Sequence, residues 1–146
     1  MASALALAAS LSPASAADPA ALLDPEKAFR ISARALDERS VEVVFRIAEG
    51  YYMYRDRFRF ETETGKVLAD AELPAGKVKH DQFFGGSQTY RDRVRIRVPL
   101  SAADIAKGRV KLKVTSQGCS DQGVCYIPQE QWVEVKLGAG PSWRNP

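Results

Sequence analysis

The sequence is poor in the residues that build metal centres and membrane spans. Its 146 residues include one histidine, two cysteines and two methionines. Two thiols with a spacer of five residues, plus His80, do not make a recognisable four-ligand zinc set, although two thiolates could bind copper(I). The cysteines also lack the Cys-x-x-Cys spacing of thioredoxins. No apolar run approaches the roughly 20 residues that a membrane-spanning helix needs.

An excess of charge of one sign is also missing. The 21 basic and 18 acidic side chains leave a formal charge of +3, which is too small to argue for a nucleic-acid partner. With 45% hydrophobic and 27% charged residues, the composition is that of an ordinary globular protein. A chain of this length fits one domain, which buries about two-thirds of its unfolded surface and needs no metal or set of disulfides to fold.

The first residues have the composition of a targeting segment. Residues 1–17 carry no charged side chain, residues 4–11 form a short, mostly apolar run, and Ala14-Ser15-Ala16 fits a signal-peptidase site, although no Lys or Arg precedes the apolar run. We therefore expect a signal peptide over 1–16, a domain over 17–137 and a tail or linker over 138–146; a disordered Ala-rich tail is the alternative for the first segment. In an exported protein a pair of cysteines normally forms a disulfide.

Alternation of apolar and polar residues dominates the chain from residue 40 onward. Such alternation is typical of strands with one buried face, and Gly- or Pro-containing breakers separate the segments. Residues 102–107 could form a helical turn capped by Ser101. Seven or eight short strands without a crossover helix favour an all-β fold, an antiparallel β-sandwich, with a small barrel as the alternative. The predicted strands are 29–34, 41–47, 52–60, 67–73, 93–98, 110–114 and 132–137.

A basic ladder runs through Arg91, Arg93, Arg95 and Arg97. It could be read as a polyanion-binding surface. Asp92 interrupts it, however, and no aromatic residues are interleaved as a binder of single-stranded nucleic acid requires. We interpret the ladder as a solvated strand face whose charges discourage edge pairing.

The two cysteines are the strongest functional signal. Cys119 and Cys125 lie between two predicted strands, and the flanking Gly118 and Gly123 permit a tight turn, so the pair is predicted to close the neck of a hairpin. A ring this small restrains the unfolded chain by only about 2.4 kcal/mol, and short exposed disulfides tend to be exchange-competent. The residues alone leave three interpretations open: a redox-active pair, a structural staple and a metal site.

Three stretches carry a resemblance to a known family. They are GYYMYR at residues 50–55, DQFFG at 81–85 followed by YRDR at 90–93, and QGCSDQGVCYIP at 117–128. Together and in this order they resemble the N-terminal periplasmic domain of DsbD, the bacterial thiol:disulfide interchange protein, and the resemblance covers residues 22–137.

The resemblance implies an immunoglobulin-like sandwich that works in the periplasm of a Gram-negative bacterium as a protein-disulfide reductase. It implies a thioredoxin-like domain as electron donor. The implied acceptors are a periplasmic disulfide isomerase and the cytochrome c maturation thioredoxin. We expect a monomer without a nucleic-acid partner, whose redox group is the Cys119–Cys125 disulfide rather than a cofactor, and which meets the membrane only through a separate transmembrane component. A non-redox immunoglobulin-like binding module with a structural disulfide is the alternative.

The resemblance also assigns roles to residues. Cys125 would form mixed disulfides with partners and Cys119 would resolve them. Asp81 would move a proton or tune the thiol pKa, with Tyr52 and Tyr54 as phenolic hydrogen-bond donors beside the cysteines. The implied cap loop has Gln82, where the family often has a second acid, then Phe83, which would lie over the disulfide, then Phe84 and Gly85.

Overall fold

The computed structural model describes residues 21–138. The predicted signal peptide and residues 139–146 of the predicted tail lie outside this range. The described part contains two short helices, a 3-10 turn at Arg55–Arg57 and eleven strands. The helices are α1 (Pro25–Ala28) and α2 (Ala102–Ala106). The strands are β1 (Phe29–Ala35), β2 (Ser40–Ile47), β3 (Tyr51–Tyr54), β4 (Arg59–Thr62), β5 (Lys77–Asp81), β6 (Gly85–Tyr90), β7 (Arg93–Pro99), β8 (Arg109–Ser116), β9 (Gly118–Ser120), β10 (Val124–Cys125) and β11 (Gln129–Lys136).

The strands pair antiparallel in three groups, β1-β2-β7, β11-β8-β4 and β10-β9-β3-β6-β5. The last two groups are continuous along the chain, because β8 runs into β9 through Gln117 and β3 runs into β4 through the 3-10 turn. Together they form one layer of a sandwich, with β1-β2-β7 as the other layer. The prediction of an all-β antiparallel sandwich is confirmed.

The main core lies between the two layers. Alternation in β2, β7 and β8 directs one face of each strand inward, as their sequence patterns predict. This core contains Val41, Val43 and Phe45 from β2, Ile96 and Val98 from β7, and Leu112 and Val114 from β8, all fully buried.

Two predicted strands differ from the structure. The segment 52–60 is not one strand, because the 3-10 turn divides it into β3 and β4. The segment 67–73 is not a strand: Val67 forms an isolated bridge to Glu61 on β4, and Glu72 forms one to Arg97 on β7. These bridges lie on opposite layers, so the segment crosses the side of the sandwich and cannot form a ladder with either edge.

The predicted helical turn is confirmed as α2, where the Ser101 side chain accepts a hydrogen bond from the Asp104 amide. The sequence did not predict the β5–β6 hairpin. Its second strand begins with Gly85 and Gly86, which as glycines suggested a loop. Gly85 has φ of +66°, and a Cβ on Gly86 would lie 2.8 Å from the His80 ring, so the glycines fit the hairpin.

None of the helices within residues 21–138 is long and apolar enough to cross a membrane.

Candidate functional site

The two cysteines are joined across neighbouring strands. Cys119 on β9 stands directly opposite Cys125 on β10, and the two form a disulfide. The hairpin between them turns at Gly123, whose φ is +85° and whose amide donates to the Ser120 carbonyl at 3.1 Å. The predicted hairpin neck is therefore present in the structure.

The two sulfurs have unequal surroundings. Cys119 is fully buried, because β9 pairs with β3 on one side and β10 on the other. Cys125 is only partly buried and lies on β10, a two-residue strand at the edge of the sheet. Of the two cysteines, Cys125 is therefore the more accessible to solvent.

A second, smaller apolar cluster surrounds the disulfide. Strand β3 separates it from the main core: Tyr51 and Met53 face the core, and Tyr52 and Tyr54, on the opposite face, pack with Cys119. All four side chains of β3 are buried. The strand places two phenols beside the sulfurs because its side chains alternate between the faces of the sheet.

The Tyr54 hydroxyl lies between both sulfurs and an acid. Its oxygen is 3.3 Å from Sγ of Cys119 and 3.9 Å from Sγ of Cys125. It donates a short hydrogen bond to Oδ2 of Asp81. Since a disulfide sulfur carries no proton, this phenolic proton is committed to Asp81 in the oxidised protein. After reduction, the Cys119 thiol can donate to the Tyr54 oxygen.

Asp81 is held by four hydrogen bonds. Besides Tyr54, the Tyr52 hydroxyl donates to Oδ2 at 3.0 Å, and the amides of Phe83 and Phe84 each donate to Oδ1 at 2.9 Å. Burial opposes ionisation of Asp81, but the hydrogen bonds from Tyr54, the two amides and Tyr52 outweigh it and hold the pKa of Asp81 below its ordinary value. The carboxylate is therefore ionised at neutral pH.

The pKa values of both phenols are raised, in contrast to that of Asp81. Burial, together with the hydrogen bond to Asp81, raises the pKa of Tyr54 well above its ordinary value. Burial also raises the pKa of Tyr52, although its contact with Tyr54 acts in the other direction. The two phenols remain protonated and act as hydrogen-bond donors.

The cap loop connects β5 and β6 at residues 82–84. The Phe84 ring packs edge-on against Tyr54, with ring centroids 4.7 Å apart, and the Arg57 guanidinium lies 4.1 Å from its centroid. Phe84 thus belongs to the cluster around the disulfide. Phe83 is 40% exposed, so its predicted place over the disulfide stays a prediction, and Gln82 and Gly85 are exposed.

One arginine of the basic ladder, Arg91, contacts the hairpin formed by β9 and β10, which we call the redox hairpin. Arg91 donates to both carboxylate oxygens of Asp121, at 2.8 and 3.0 Å, and to the Tyr51 carbonyl at 3.3 Å. The hydrogen bond from Arg91 lowers the pKa of Asp121. Arg97 pairs with Asp37 and Glu72. Two arginines of the ladder, Arg91 and Arg97, thus form ion pairs, which the interpretation as a solvated strand face did not include. The spacing of the residues gave no signal for the contact between Arg91 and Asp121.

The end of the hairpin is anchored in the main core. The Tyr126 ring stacks on Tyr51, at a centroid distance of 6.3 Å, and meets Phe29 edge-on at 5.7 Å. Its hydroxyl donates to the Leu23 carbonyl, and burial is the main cause that raises the pKa of Tyr126 to about 12. The residue after Cys125 is thereby fixed, which limits how far that cysteine can move.

The structure places most of the predicted site residues side by side. The cysteines, both tyrosines and Asp81 form one contiguous group. Sequence reasoning missed Arg57 against the cap loop, and it missed the pairing of Arg91 with Asp121. Within residues 21–138, no group of three or more His, Cys, Asp or Glu side chains is placed to hold a metal ion.

Comparisons with known proteins agree with this geometry. The chain is 47% identical over 129 residues to the thiol:disulfide interchange protein DsbD of Ralstonia nicotianae, a match that covers 87% of this chain and 20% of that protein. It is 37% identical over 99 residues to DsbD of Escherichia coli, and this match covers 68% of this chain and 17% of that protein. The chain thus spans about a fifth of the length of these curated relatives.

Two solved structures are similar over most of the domain. The reduced DsbD N-terminal domain of Neisseria meningitidis has a TM-score of 0.70 and 32% identity, over 84% of this chain and 95% of that one. A structure of the complex between the DsbD and PilB N-terminal domains of the same species has a TM-score of 0.64 and 35% identity. This match covers 78% of this chain and 87% of that one. The family model of the N-terminal part of thiol:disulfide interchange protein DsbD matches residues 19–137. The chain belongs to the family of DsbD N-terminal domains.

Proposed function

We propose that this domain carries electrons between proteins by thiol-disulfide exchange at Cys119 and Cys125. The observation that supports this most directly is the unequal burial of the two sulfurs, one accessible at a sheet edge and one enclosed beside two phenols. A bond that served only to staple the fold would gain nothing from such a difference. Its neighbours would not need to include an ionised carboxylate and two protonated phenols.

The reduced domain would act in two steps. The Cys125 thiolate attacks the disulfide of an acceptor protein, forms a mixed disulfide and releases one acceptor thiolate. Cys119 then loses its proton and attacks Sγ of Cys125, which re-forms the Cys119–Cys125 disulfide and releases the second acceptor thiolate. Two electrons pass to the acceptor, and the two protons that leave the Cys125 and Cys119 thiols neutralise the two acceptor thiolates by way of solvent. Because Cys119 stands directly opposite Cys125, the second step is effectively unimolecular.

The network around Tyr54 gives the Cys119 proton a route. In the reduced protein the Cys119 thiol would donate to Tyr54, whose own proton is shared with Asp81. Asp81 would take up this proton only transiently as Cys119 becomes a thiolate and would pass it on to solvent or to the departing acceptor thiolate, so the carboxylate is ionised again once the disulfide has formed. Asp81 serves this exchange through Tyr54 rather than by touching a sulfur. The cap loop would limit access by small thiols, since Phe84 packs against the cluster around the disulfide.

The partners we propose follow from family membership. A thioredoxin-like domain would reduce the pair, and periplasmic thiol-disulfide proteins, among them a disulfide isomerase and the cytochrome c maturation thioredoxin, would be reduced by it. The PilB N-terminal domain in the complex from Neisseria meningitidis is a partner of that relative. The domain would act as a monomer in the periplasm, and membrane attachment would come from another component.

Trapping tests this function. In Cys119→Ser, Cys125 can attack a disulfide but nothing can resolve the adduct, so a mixed disulfide with a thioredoxin-like partner should accumulate and disappear on addition of dithiothreitol. The matched variant Cys125→Ser should trap far less, because Cys119 is fully buried. Equal trapping by both variants would refute the assignment of roles. If neither variant traps a partner and the wild-type disulfide is reduced only on unfolding, the domain is a binding module with a structural disulfide.

A further inference from the structure

We propose that the ion pair between Arg91 and Asp121 is a positioning device for the redox hairpin, which sets the reduction potential of the Cys119–Cys125 pair. The inference rests on the exchange function proposed above. Asp121 lies inside the ring that the disulfide closes, two residues after Cys119. Arg91 lies outside the ring, at the junction of β6 and β7. The pair therefore connects the ring to the rest of the sheet by a route independent of the sulfurs.

The geometry is that of a clamp rather than a chance surface contact. The Arg91 guanidinium donates to both oxygens of Asp121, a fork-to-fork arrangement that restricts orientation as well as distance. The same guanidinium donates to the Tyr51 carbonyl and lies 5.2 Å from the centroid of the Tyr52 ring. The Asp121 amide also donates to the Gly50 carbonyl at 2.8 Å, so both the backbone and the side chain of Asp121 are held in place.

The clamp matters most when the disulfide is open. In the oxidised protein the covalent ring already restrains residues 120–124. In the reduced protein the restraint comes from the Arg91–Asp121 pair and from the backbone hydrogen bonds of Asp121 and Gly123. By keeping the hairpin folded, the clamp holds the Cys125 thiol opposite Cys119 and raises the effective concentration of one sulfur at the other.

The direction of the effect follows. Oxidised domain plus two glutathione molecules is in equilibrium with the dithiol domain plus glutathione disulfide, an exchange of two electrons and two protons. Loss of the clamp releases the reduced hairpin more than the oxidised one, so the reduced form gains conformational entropy and the disulfide becomes easier to reduce. Because both side chains are about 43% exposed, solvent screens the pair and the effect is modest.

The test measures this equilibrium at pH 7 in glutathione buffers for the wild type, Arg91→Gln and Asp121→Asn. Each variant should favour the dithiol by about two- to fivefold, the range expected for an exposed pair. That is a reduction potential about 10–20 mV less negative. The double variant should shift no further than either single one. The control is Arg95→Gln, an exposed position on the same ladder, which should leave the potential unchanged.

The two single variants separate the clamp from a general effect of charge. Arg91→Gln removes a positive charge and Asp121→Asn a negative one, so a field effect on the sulfurs would shift the potential in opposite directions. Shifts in the same direction support the clamp; opposite shifts, or no shift in either folded variant, overturn it. A wild-type disulfide that glutathione cannot reduce in the folded protein would instead overturn the exchange function, so the two failures are distinct.

Discussion

The hydroxyl group of Tyr54 offers the sharpest test of the site, because Tyr52 provides a matched control. Both phenols donate to the same oxygen of Asp81, but only that of Tyr54 also contacts the sulfurs. Tyr54→Phe removes one buried hydrogen bond to an ionised carboxylate and changes no carbon atom. Such a bond contributes about 1.5–3 kcal/mol to the free energy of unfolding. Tyr52→Phe should cost a similar amount.

The effect of Tyr54→Phe should depend on pH, with a sign that follows from the pKa of Asp81. Its pKa is lowered in the folded protein. Its ionised form therefore contributes stability that is present above the unfolded pKa of about 3.9 and is lost as the pH falls through the folded value. The stability difference between the wild type and Tyr54→Phe should be complete at pH 7 and should shrink below about pH 4.

Urea unfolding of the oxidised proteins at pH 7 and at a series of pH values below about 4 measures the difference. A second readout, the rate at which a thioredoxin-like partner reduces each protein, separates the two tyrosines. The rate should fall for Tyr54→Phe and change much less for Tyr52→Phe. A stability difference that stays constant down to the lowest pH at which both proteins fold would contradict a bond to the ionised carboxylate, and equal loss of rate in both variants would refute a special role of Tyr54 at the sulfurs.

Two further predictions concern the surroundings of the disulfide. Gly118→Ala would place a Cβ 2.3 Å from the ring of buried Phe29 and 2.7 Å from the Tyr52 carbonyl oxygen, so it should lower the free energy of unfolding by about 3 kcal/mol, measured by urea unfolding. Gly65→Ala, with open space around the new Cβ but φ of +85°, is the control and should cost about 1 kcal/mol. Phe84→Ala should speed reduction of the disulfide by glutathione, because it removes a ring that packs against the cluster around the disulfide. An unchanged rate in a folded variant would contradict a covering role for this ring.

The parts of the fold that the sequence predicts are those determined locally. Alternation identified β2, β7 and β8 because each has one face in the core. The same pattern failed at 67–73, where the segment passes from one layer to the other and its apolar residues rest on the side of the core. The β5–β6 hairpin escaped prediction because Gly86 makes room for the His80 ring of the opposing strand, a contact that appears only once the register is known.

The same distinction applies to the site. The spacing and flanking glycines of Cys119 and Cys125 predicted a hairpin neck, and family resemblance supplied the tyrosines and Asp81. The bond between Arg91 and Asp121 joins residues 30 positions apart and depends on how β6, β3 and β9 lie side by side. Nor can a pattern tell which of two adjacent loop aromatics turns inward; in the structure it is Phe84 that packs against Tyr54.

Strand β3 has no side that faces water. Tyr51 and Met53 fill the interior of the sandwich, while Tyr52 and Tyr54 border the sulfurs. Replacement of any of these four residues therefore disturbs either folding or electron transfer, and the strand offers evolution no neutral position. Strand β7, where buried Val94 and Ile96 alternate with exposed Arg93 and Arg95, can vary at every second residue. Substitutions at the exposed positions of β7 should therefore be tolerated far more readily than substitutions anywhere in β3.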